Sequence, residues 1–257
     1  HETNEYPFLI DEEGISVMPV TSLGLQHVAN AERISSGTPR LDAMLGGEGY
    51  FRSSTVLMSG TAGSGKTSIA AHFAAAACRR GERCLYFAFE ESPGQLMRNM
   101  RSIGIDLEPF VKQGLLHFHA SRAAIHGLEM HLSTIHKLVR KFRPRVVVMD
   151  PVGSLTAVGT RQDANVMLTR LIDFLKMQDI TALLTNLTSG DEAMEQTQVE
   201  VSSLVDTWLL LRDLELDGER NRVMYVLKSR GMAHSNQLRE FLLTDQGVEL
   251  QNVYLGA

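Results

Sequence analysis

This chain of 257 residues has two cysteines, one tryptophan and no excess of positive charge. Its cysteines, Cys78 and Cys84, are too few for a disulfide framework and fit a reducing cytosol. With 25 basic and 30 acidic residues the net charge is −5, which argues against a broad surface for nucleic acid or anionic lipid. Since no apolar run reaches the length of a membrane span and no targeting peptide is visible, we expect a cytoplasmic globular protein without membrane contact.

What the chain does contain is a regular alternation of apolar strands and helical patterns. Short runs of Val, Ile and Leu without polar alternation are typical of a parallel sheet covered on both faces. These runs lie at 54–59, 84–89, 115–119, 145–150 and 179–186. Farther on, two runs at 206–215 and 221–230 flank a turn at Asp217-Gly218 and predict an antiparallel hairpin. The expected fold is a doubly wound, mainly parallel α/β core with an antiparallel extension at its C-terminal edge.

The first 17 residues read as strand, turn, strand, and they resemble residues 234–250 at a constant offset of 233. The matched pairs are His1 with His234, Phe8 with Phe241, Ile10 with Leu243 and Gly14 with Gly247. We therefore interpret residues 1–17 as the tail of an upstream copy of the same domain. Residues 18–33 would be a linker and 34–257 the domain itself. The alternative is an ordinary N-terminal hairpin.

A nucleotide site is predicted by "GTAGSGKT", Gly60 to Thr67, which fits G-x-x-x-x-G-K-[ST] between a predicted strand and a predicted helix. Its glycines let backbone N–H groups curl around phosphate oxygens, while Lys66 reaches the β- and γ-phosphates. The Thr67 hydroxyl and Asp150, at the end of a later strand, would hold magnesium. The residues expected around ATP are Gly60, Thr61, Ala62, Gly63, Ser64, Gly65, Lys66 and Thr67.

Two acidic residues, Glu90 and Glu91, end the strand that follows this first helix. Carboxylates at the C-terminal end of a parallel strand lie at the ligand-binding edge of such a sheet. One of them can activate a hydroxyl or water that attacks the γ-phosphate, while its neighbour orients it. The alternative is a solvated acidic start of the next helix, which the helix dipole would favour.

A second group of charged residues follows the hairpin in "KSRGMAH", Lys228 to His234. Lys228 and Arg230 would face the same way on a strand, an arrangement that suits an anion between them. A triphosphate held by a neighbouring subunit would serve, as trans-acting arginines do in phosphoryl transfer. The alternative is a solvated strand edge protected by charge.

Six segments together resemble the KaiC family of RecA-like ATPases and autokinases of the cyanobacterial clock. These segments cover nearly the whole chain in order: "RISSGTPRLDAMLGGEGYFRSS", "GTAGSGKT", "FAFEES", "VVVMDPVGSL", "VDTWLLL" and "KSRGMAH". The resemblance implies a RecA-like P-loop NTPase fold and two tandem domains, of which this chain is similar to the second. It also implies a homohexamer, ATP and Mg²⁺ as ligands, and Kai-type clock proteins as partners.

The resemblance also implies roles for individual residues. Ser68 joins the ATP contacts, Glu90 is the base for the acceptor hydroxyl, and Ile103 stands where the family has a Trp near the nucleotide. The implied magnesium ligands are Thr67, Glu90 and Asp150, and the catalytic residues are Glu90, Glu91 and Lys66. The residues that would reach ATP across a hexamer interface are Arg222, Lys228, Arg230 and His234.

Ser202 and Ser203 fall on the family's autophosphorylated Ser-Thr pair, with Thr197 nearby. The chain departs from the pattern in having Ser203 rather than Thr and Gln198 in place of an Asp, and we expect no counterpart of the family's long tail that receives an activating partner. Two hydroxyl groups nevertheless remain at the positions of the pair. The alternative reading of the two serines is simple loop polar residues before a strand.

The motifs and the family resemblance together predict ATP hydrolysis and phosphoryl transfer to Ser202 or Ser203 of an adjacent protomer. Transfer from the phosphoserine back to ADP is an alternative direction of the same reaction. The rival is a RecA-type DNA-dependent ATPase or recombination accessory factor, which needs a basic, aromatic-bearing surface. The net charge of −5 and the single Trp disfavour it. A nucleotide-gated scaffold without catalysis is a third reading, against which Glu90 and Glu91 argue.

Overall fold

The computed structural model describes residues 8–11, 14–17, 30–188, 203–216 and 218–253. In chain order the strands are β1 (Phe8–Asp11), β2 (Gly14–Val17), β3 (Arg33–Ile34), β4 (Tyr50–Phe51), β5 (Thr55–Gly60), β6 (Cys84–Ala88), β7 (Leu116–Ala120), β8 (Val146–Asp150), β9 (Thr181–Leu187), β10 (Thr207–Leu216), β11 (Glu219–Ser229), β12 (Arg239–Thr244) and β13 (Gly247–Asn252). The α-helices are α1 (Pro39–Met44), α2 (Lys66–Arg79), α3 (Pro93–Arg101), α4 (Glu108–Lys112), α5 (Leu128–Phe142) and α6 (Arg161–Met177), with 3₁₀ helices at Ala123–Ile125 and Val152–Ala157.

Nine strands form one sheet in the order β13-β12-β11-β10-β5-β9-β8-β6-β7. The six strands from β10 to β7 run parallel to one another, and β11, β12 and β13 extend the sheet with antiparallel pairs. The predicted fold class is therefore confirmed. Every residue of β5, β6 and β8 is buried, because helices cover both faces of the sheet. This double burial explains why the strands lack a polar alternation.

Two apolar cores lie on the two faces of the sheet. On one face α2 packs through a nearly continuous row of small alanines, together with residues of the C-terminal strands such as Phe241 and Val248. On the other face α5 and α6 cover residues such as Leu57 and Val147. Small side chains let α2 approach the sheet closely, which brings the start of this helix next to the ends of the central strands. No helix in the described ranges is long and apolar enough to cross a membrane.

The hairpin β1–β2 pairs separately from the main sheet and has the same register as β12–β13. Phe8 pairs with Val17 as Phe241 pairs with Leu250, which is the offset of 233 found in the sequence. The two hairpins differ in burial: Phe8 is 62% exposed, whereas Phe241 is 1% exposed. Of the predicted linker, residues 18–29 lie outside the described residues, as does His1.

The parallel strands all begin on one side of the sheet and all end on the opposite side. The edge at which β5, β6 and β8 end is called the carboxyl edge below, and the edge at which β5 and β10 begin is called the amino edge. At the amino edge the Asp206 carboxylate accepts the Thr55 backbone N–H at 2.8 Å and forms an ion pair with Lys176 of α6 at 2.8 Å. These contacts fasten the start of β10 to the start of β5.

Candidate nucleotide-binding site

The predicted phosphate loop lies at the carboxyl edge, between β5 and α2. Gly63 and Gly65 have φ angles of +77° and +92°, a region that residues with a Cβ rarely adopt. A Cβ on Gly65 would also lie 2.6 Å from the ring of Phe241. Phe241 is buried in β12, so a C-terminal strand supports the loop from behind. The glycine pattern therefore reflects both backbone conformation and tertiary packing.

Lys66 lies across this loop. Its ammonium group donates hydrogen bonds to the carbonyl oxygens of Gly60 at 2.8 Å and Thr61 at 2.7 Å. Burial lowers the pKa of Lys66 to about 8, although the nearby Asp150 and Glu90 carboxylates favour the charged form. Because the charge is partly desolvated, an anion placed in the loop would interact strongly with it.

A cleft of about 380 Å³ opens beside the loop, a size that suits a small molecule. Polar residues of the loop and the carboxyl edge form one part of its wall. Leu96 and Met100 of α3 and Leu243 of β12 form an apolar part. Phosphate groups can thus lie at the loop while an apolar ring lies against the three aliphatic side chains. The lining residues are Ala62, Gly63, Gly65, Lys66, Thr67, Ser68, Ala88, Glu90, Glu91, Leu96, Met100, Asp150, Pro151, Leu187 and Leu243.

The sequence interpretation did not name this apolar wall, and it gave Ile103 as an ATP contact. Ile103 is half-buried and packs against the core that includes α2, and it is not among the described residues that line the cleft. Leu96 and Met100 are four residues apart on α3 and therefore share one face of that helix. This spacing, directly after Glu90 and Glu91, is the signal that could have found them.

Asp150 ends β8 at the floor of the cleft and is largely buried. Its carboxylate accepts hydrogen bonds from the hydroxyl groups of Tyr86 and Thr185, on the strands that flank β8. Neither donor was predicted from the sequence. The contacts leave both carboxylate oxygens with further acceptor capacity.

The paired glutamates both line the cleft but have different partners. Glu90 accepts a hydrogen bond from the Ser154 hydroxyl at 2.9 Å, and Glu91 accepts one from the Asn99 side chain at 3.2 Å. The start of α3 has its own capping box, in which Ser92 and Gln95 satisfy each other's backbone N–H groups. Since these two residues cap the helix, the glutamates are not needed for that purpose.

The donor set of the cleft fits magnesium, which prefers oxygen ligands. The residues that line the cleft include Thr67, with a hydroxyl group, and Asp150 and Glu90, each with a carboxylate. Within the described ranges, no group of three or more His, Cys, Asp or Glu side chains could hold a metal ion by itself. An ion here would therefore complete its shell with phosphate oxygens and water, as magnesium commonly does with nucleotides.

The four residues predicted to act across an interface do not lie together. Arg222 lies at the carboxyl edge, where its Nε donates a hydrogen bond to the Gly63 carbonyl of its own chain at 3.2 Å. Lys228 pairs with Trp208 near the start of β10, at the amino edge. Arg230 directly follows β11 at that same edge, and His234 lies in the segment between β11 and β12. Burial, followed by the neighbouring Arg230 charge, lowers the pKa of Lys228 below its ordinary value.

Ser203 lies next to Arg230 at the amino edge. Both residues are exposed, and Arg230 Nη2 donates a hydrogen bond to the Ser203 carbonyl oxygen at 2.6 Å. The backbone N–H of Arg230 also donates to the Asp206 carbonyl oxygen at 2.8 Å. The other predicted acceptor, Ser202, lies outside the described residues, as do Thr197 and Gln198.

Comparison with known proteins gives one consistent result. Residues 34–253 match a family model described as "ATPase: KaiC". The chain is 55% identical to "Circadian clock protein KaiC2" of Synechocystis sp., over 100% of this chain and 45% of that protein. It is 37% identical to "Circadian clock oscillator protein KaiC" of Parathermosynechococcus lividus, over 100% of this chain and 47% of the relative. A protein of the latter name from Synechococcus elongatus is 34% identical, over 99% of this chain and 49% of the relative.

The chain thus spans about half the length of the curated relatives it matches. The recombinase alternative gains no support from these matches.

Proposed function

Because the chain belongs to the KaiC ATPase family, we propose that it binds and hydrolyses ATP with magnesium and phosphorylates Ser202 or Ser203 of an adjacent protomer in a homohexamer. Transfer from the phosphoserine back to ADP would use the same groups in reverse. The observation that carries the proposal is the hydrogen bond between Arg230 and Ser203 at the amino edge, away from the phosphate loop of the same chain.

The strand register argues that phosphoryl transfer occurs between chains. Thr207, at the start of β10, pairs with Val56 of β5, and Leu211 pairs with Gly60, where the phosphate loop begins. The loop therefore begins beside the residue that lies four positions after the start of β10. At about 3.3 Å per residue, this separates the start of β10 from the loop by about 13 Å. Ser203 precedes the start of β10 by four more residues. An attacking oxygen must come within about 3–3.5 Å of the phosphorus, so Ser203 would not reach a γ-phosphate held by the loop of its own chain. The amino edge of one protomer would therefore face the carboxyl edge of the next, a head-to-tail contact that can close a ring.

In such a ring the acceptor and the cations reach the neighbouring cleft together. Lys228 and Arg230 lie on the same edge as Ser203. Their charges would balance the negative charge on the γ-phosphoryl group as it is transferred, as arginines supplied in trans do in other phosphoryl transfers. Catalysis would thus require two protomers.

Within the cleft, each residue has a separate task. Glu90 would accept the proton of the acceptor hydroxyl as its oxygen bonds to the γ-phosphorus, and ADP leaves as the bond to the bridging oxygen breaks. Glu91 orients the site, and Lys66 stabilises the charge on the β- and γ-oxygens. Magnesium, held by Thr67, Asp150 and Glu90, would neutralise further phosphate charge when bound.

We also propose that residues 1–17 end an upstream copy of the domain, joined through 18–33. The matching registers of β1–β2 and β12–β13 support this division, as does the length of the relatives. Clock partner proteins of the Kai type and a cytoplasmic location remain part of the same proposal.

A mixing experiment tests transfer between chains. Lys66→Ala protomers keep the acceptor serines but lose nucleotide chemistry, whereas Ser202→Ala/Ser203→Ala protomers keep the chemistry and lose the acceptors. Neither preparation alone should gain phosphate with ATP and Mg²⁺. In mixed rings, intact-mass measurement should find phosphate on the Lys66→Ala chain, and peptide mapping should place it on Ser202 or Ser203. Wild-type rings that gain no phosphate, or label that persists in the double serine variant alone, would defeat the autokinase proposal.

A further inference from the structure

Tyr86 carries a hydroxyl group into the middle of the sheet. It lies in β6, its side chain is fully buried, and it precedes Glu90 by four residues. The ring is held by the neighbouring strands and by Phe118 of β7, whose ring centroid is 5.3 Å away. Burying a hydroxyl in a core is unfavourable unless it is hydrogen-bonded. At this position the partner is the carboxylate of Asp150, at 2.7 Å.

The Tyr86 hydroxyl acts as a donor in this contact. A carboxylate oxygen accepts hydrogen bonds, and the phenol O–H is the group that can donate one here. It donates to Oδ2 of Asp150, while Thr185 of β9 donates to Oδ1. Since β6 and β9 flank β8, the two donors hold the carboxylate from opposite sides.

We propose that Tyr86, together with Thr185, is a positioning residue that sets the orientation in which Asp150 meets magnesium-bound ATP. The inference rests on the proposed function of the cleft. Tyr86 is not among the residues that line the cleft, so it acts through Asp150 rather than on the nucleotide. Partners of this kind fix the direction of a metal-facing group, and their loss commonly lowers metal affinity or activity 10-fold to 100-fold.

A matched control is provided by Tyr50. Its side chain is also fully buried, and its ring packs edge-on against Phe73 at a centroid distance of 5.4 Å. Among the described residues, however, its hydroxyl oxygen has no hydrogen-bond partner. Tyr86→Phe and Tyr50→Phe each remove one buried oxygen from the core. Only the first removes a contact to Asp150.

The test measures binding of a fluorescent non-hydrolysable ATP analogue in Mg²⁺ and in EDTA. In the wild type, the ratio of the two affinities reports how strongly magnesium and nucleotide bind together. Tyr86→Phe should reduce this ratio about tenfold while affinity in EDTA stays unchanged. Tyr50→Phe should leave both affinities at their wild-type values. ATP turnover in Tyr86→Phe should accordingly show a higher KM, because magnesium-bound ATP binds more weakly.

Two results would overturn the inference. One is a ratio of affinities in Mg²⁺ and EDTA that is the same in Tyr86→Phe as in the wild type, with both affinities unchanged. The other is an equal loss of affinity in both buffers, which indicates a general structural effect. If Tyr86→Phe does not fold, Thr185→Val removes the opposite donor and should lower the ratio likewise, while Thr185→Ser should retain it. Failure of the proposed function is distinguishable, because the wild-type chain would then not bind the analogue in either buffer.

Discussion

The two edges of the sheet are built differently. At the carboxyl edge Lys66 and Asp150 are largely buried: Lys66 lies against loop carbonyls, and Asp150 is held by two hydroxyl groups. At the amino edge, Arg230 and Ser203 are exposed and share one hydrogen bond. A site that stabilises developing charge benefits from fixed, desolvated groups, whereas groups that must meet another protomer have to be accessible. This contrast is what the proposed transfer between protomers requires.

The strongest test of this contrast compares two arginines. Arg230→Ala should lower phosphorylation about 10³-fold, the lower end of the effect of an arginine supplied in trans, without weakening ATP binding by dilute protomers. Arg222→Ala should instead weaken ATP binding about tenfold in the same protomers, because its contact is with the loop of its own chain. Quantitative phosphopeptide analysis and equilibrium titration measure the two effects. The same pattern of losses in both variants would show that the edges are not functionally distinct.

The titration of Lys66 should be visible in ATP binding at the carboxyl edge. Its pKa is lowered to about 8 by burial, and bound phosphate would raise it. The complex therefore holds more protons than the free protein above pH 8, so affinity should fall as the pH rises. The expected decrease is up to tenfold between pH 8 and 9. Lys66→Met should bind more weakly and lose this pH dependence, and a wild-type affinity that is flat over this interval contradicts the prediction.

Two glycines test how the C-terminal strands support the carboxyl edge. Gly63 and Gly65 both have positive φ angles, but an added Cβ meets Phe241 only at Gly65 and open space at Gly63. Gly63→Ala should lower the free energy of unfolding by about 1–2 kcal/mol through backbone strain. Gly65→Ala should cost about 1–3 kcal/mol more because of overpacking. Urea unfolding measures both, and equal losses would mean that Phe241 does not constrain the loop.

The smallest expected effect concerns single-stranded DNA. The net charge of −5 provides few phosphate contacts, so DNA should change the ATPase rate less than about twofold at physiological salt. Steady-state hydrolysis with and without an oligonucleotide checks this. A severalfold stimulation would favour the recombinase alternative. The amino edge would then need a role other than presenting the acceptor serine to a neighbouring protomer.

Local sequence patterns predicted the parts of the site that are continuous in the chain. The phosphate loop, the glutamate pair and Asp150 each lie at the end of a recognisable strand, and all three line one cleft. The apolar wall was missed because Leu243 comes from β12, far along the chain from α3. Arg222 was grouped with Lys228 and Arg230 because the family resemblance implied one role for them. Within one protomer, β11 places Arg222 near the phosphate loop and Lys228, six positions farther along, near the amino edge.

The sequence by itself determined the elements, the phosphate loop and the family, because each rests on short-range pattern: apolar periodicity, glycines at fixed spacing, and segments in a conserved order along one chain. Only the tertiary structure decided which side chains share a surface. Strand order sets β10 beside β5 and β6 beside β8, and this order alone joins Tyr86 to Asp150 and places Ser203 away from its own loop. Such neighbours are fixed by the packing of two cores on a single sheet, which no local segment encodes.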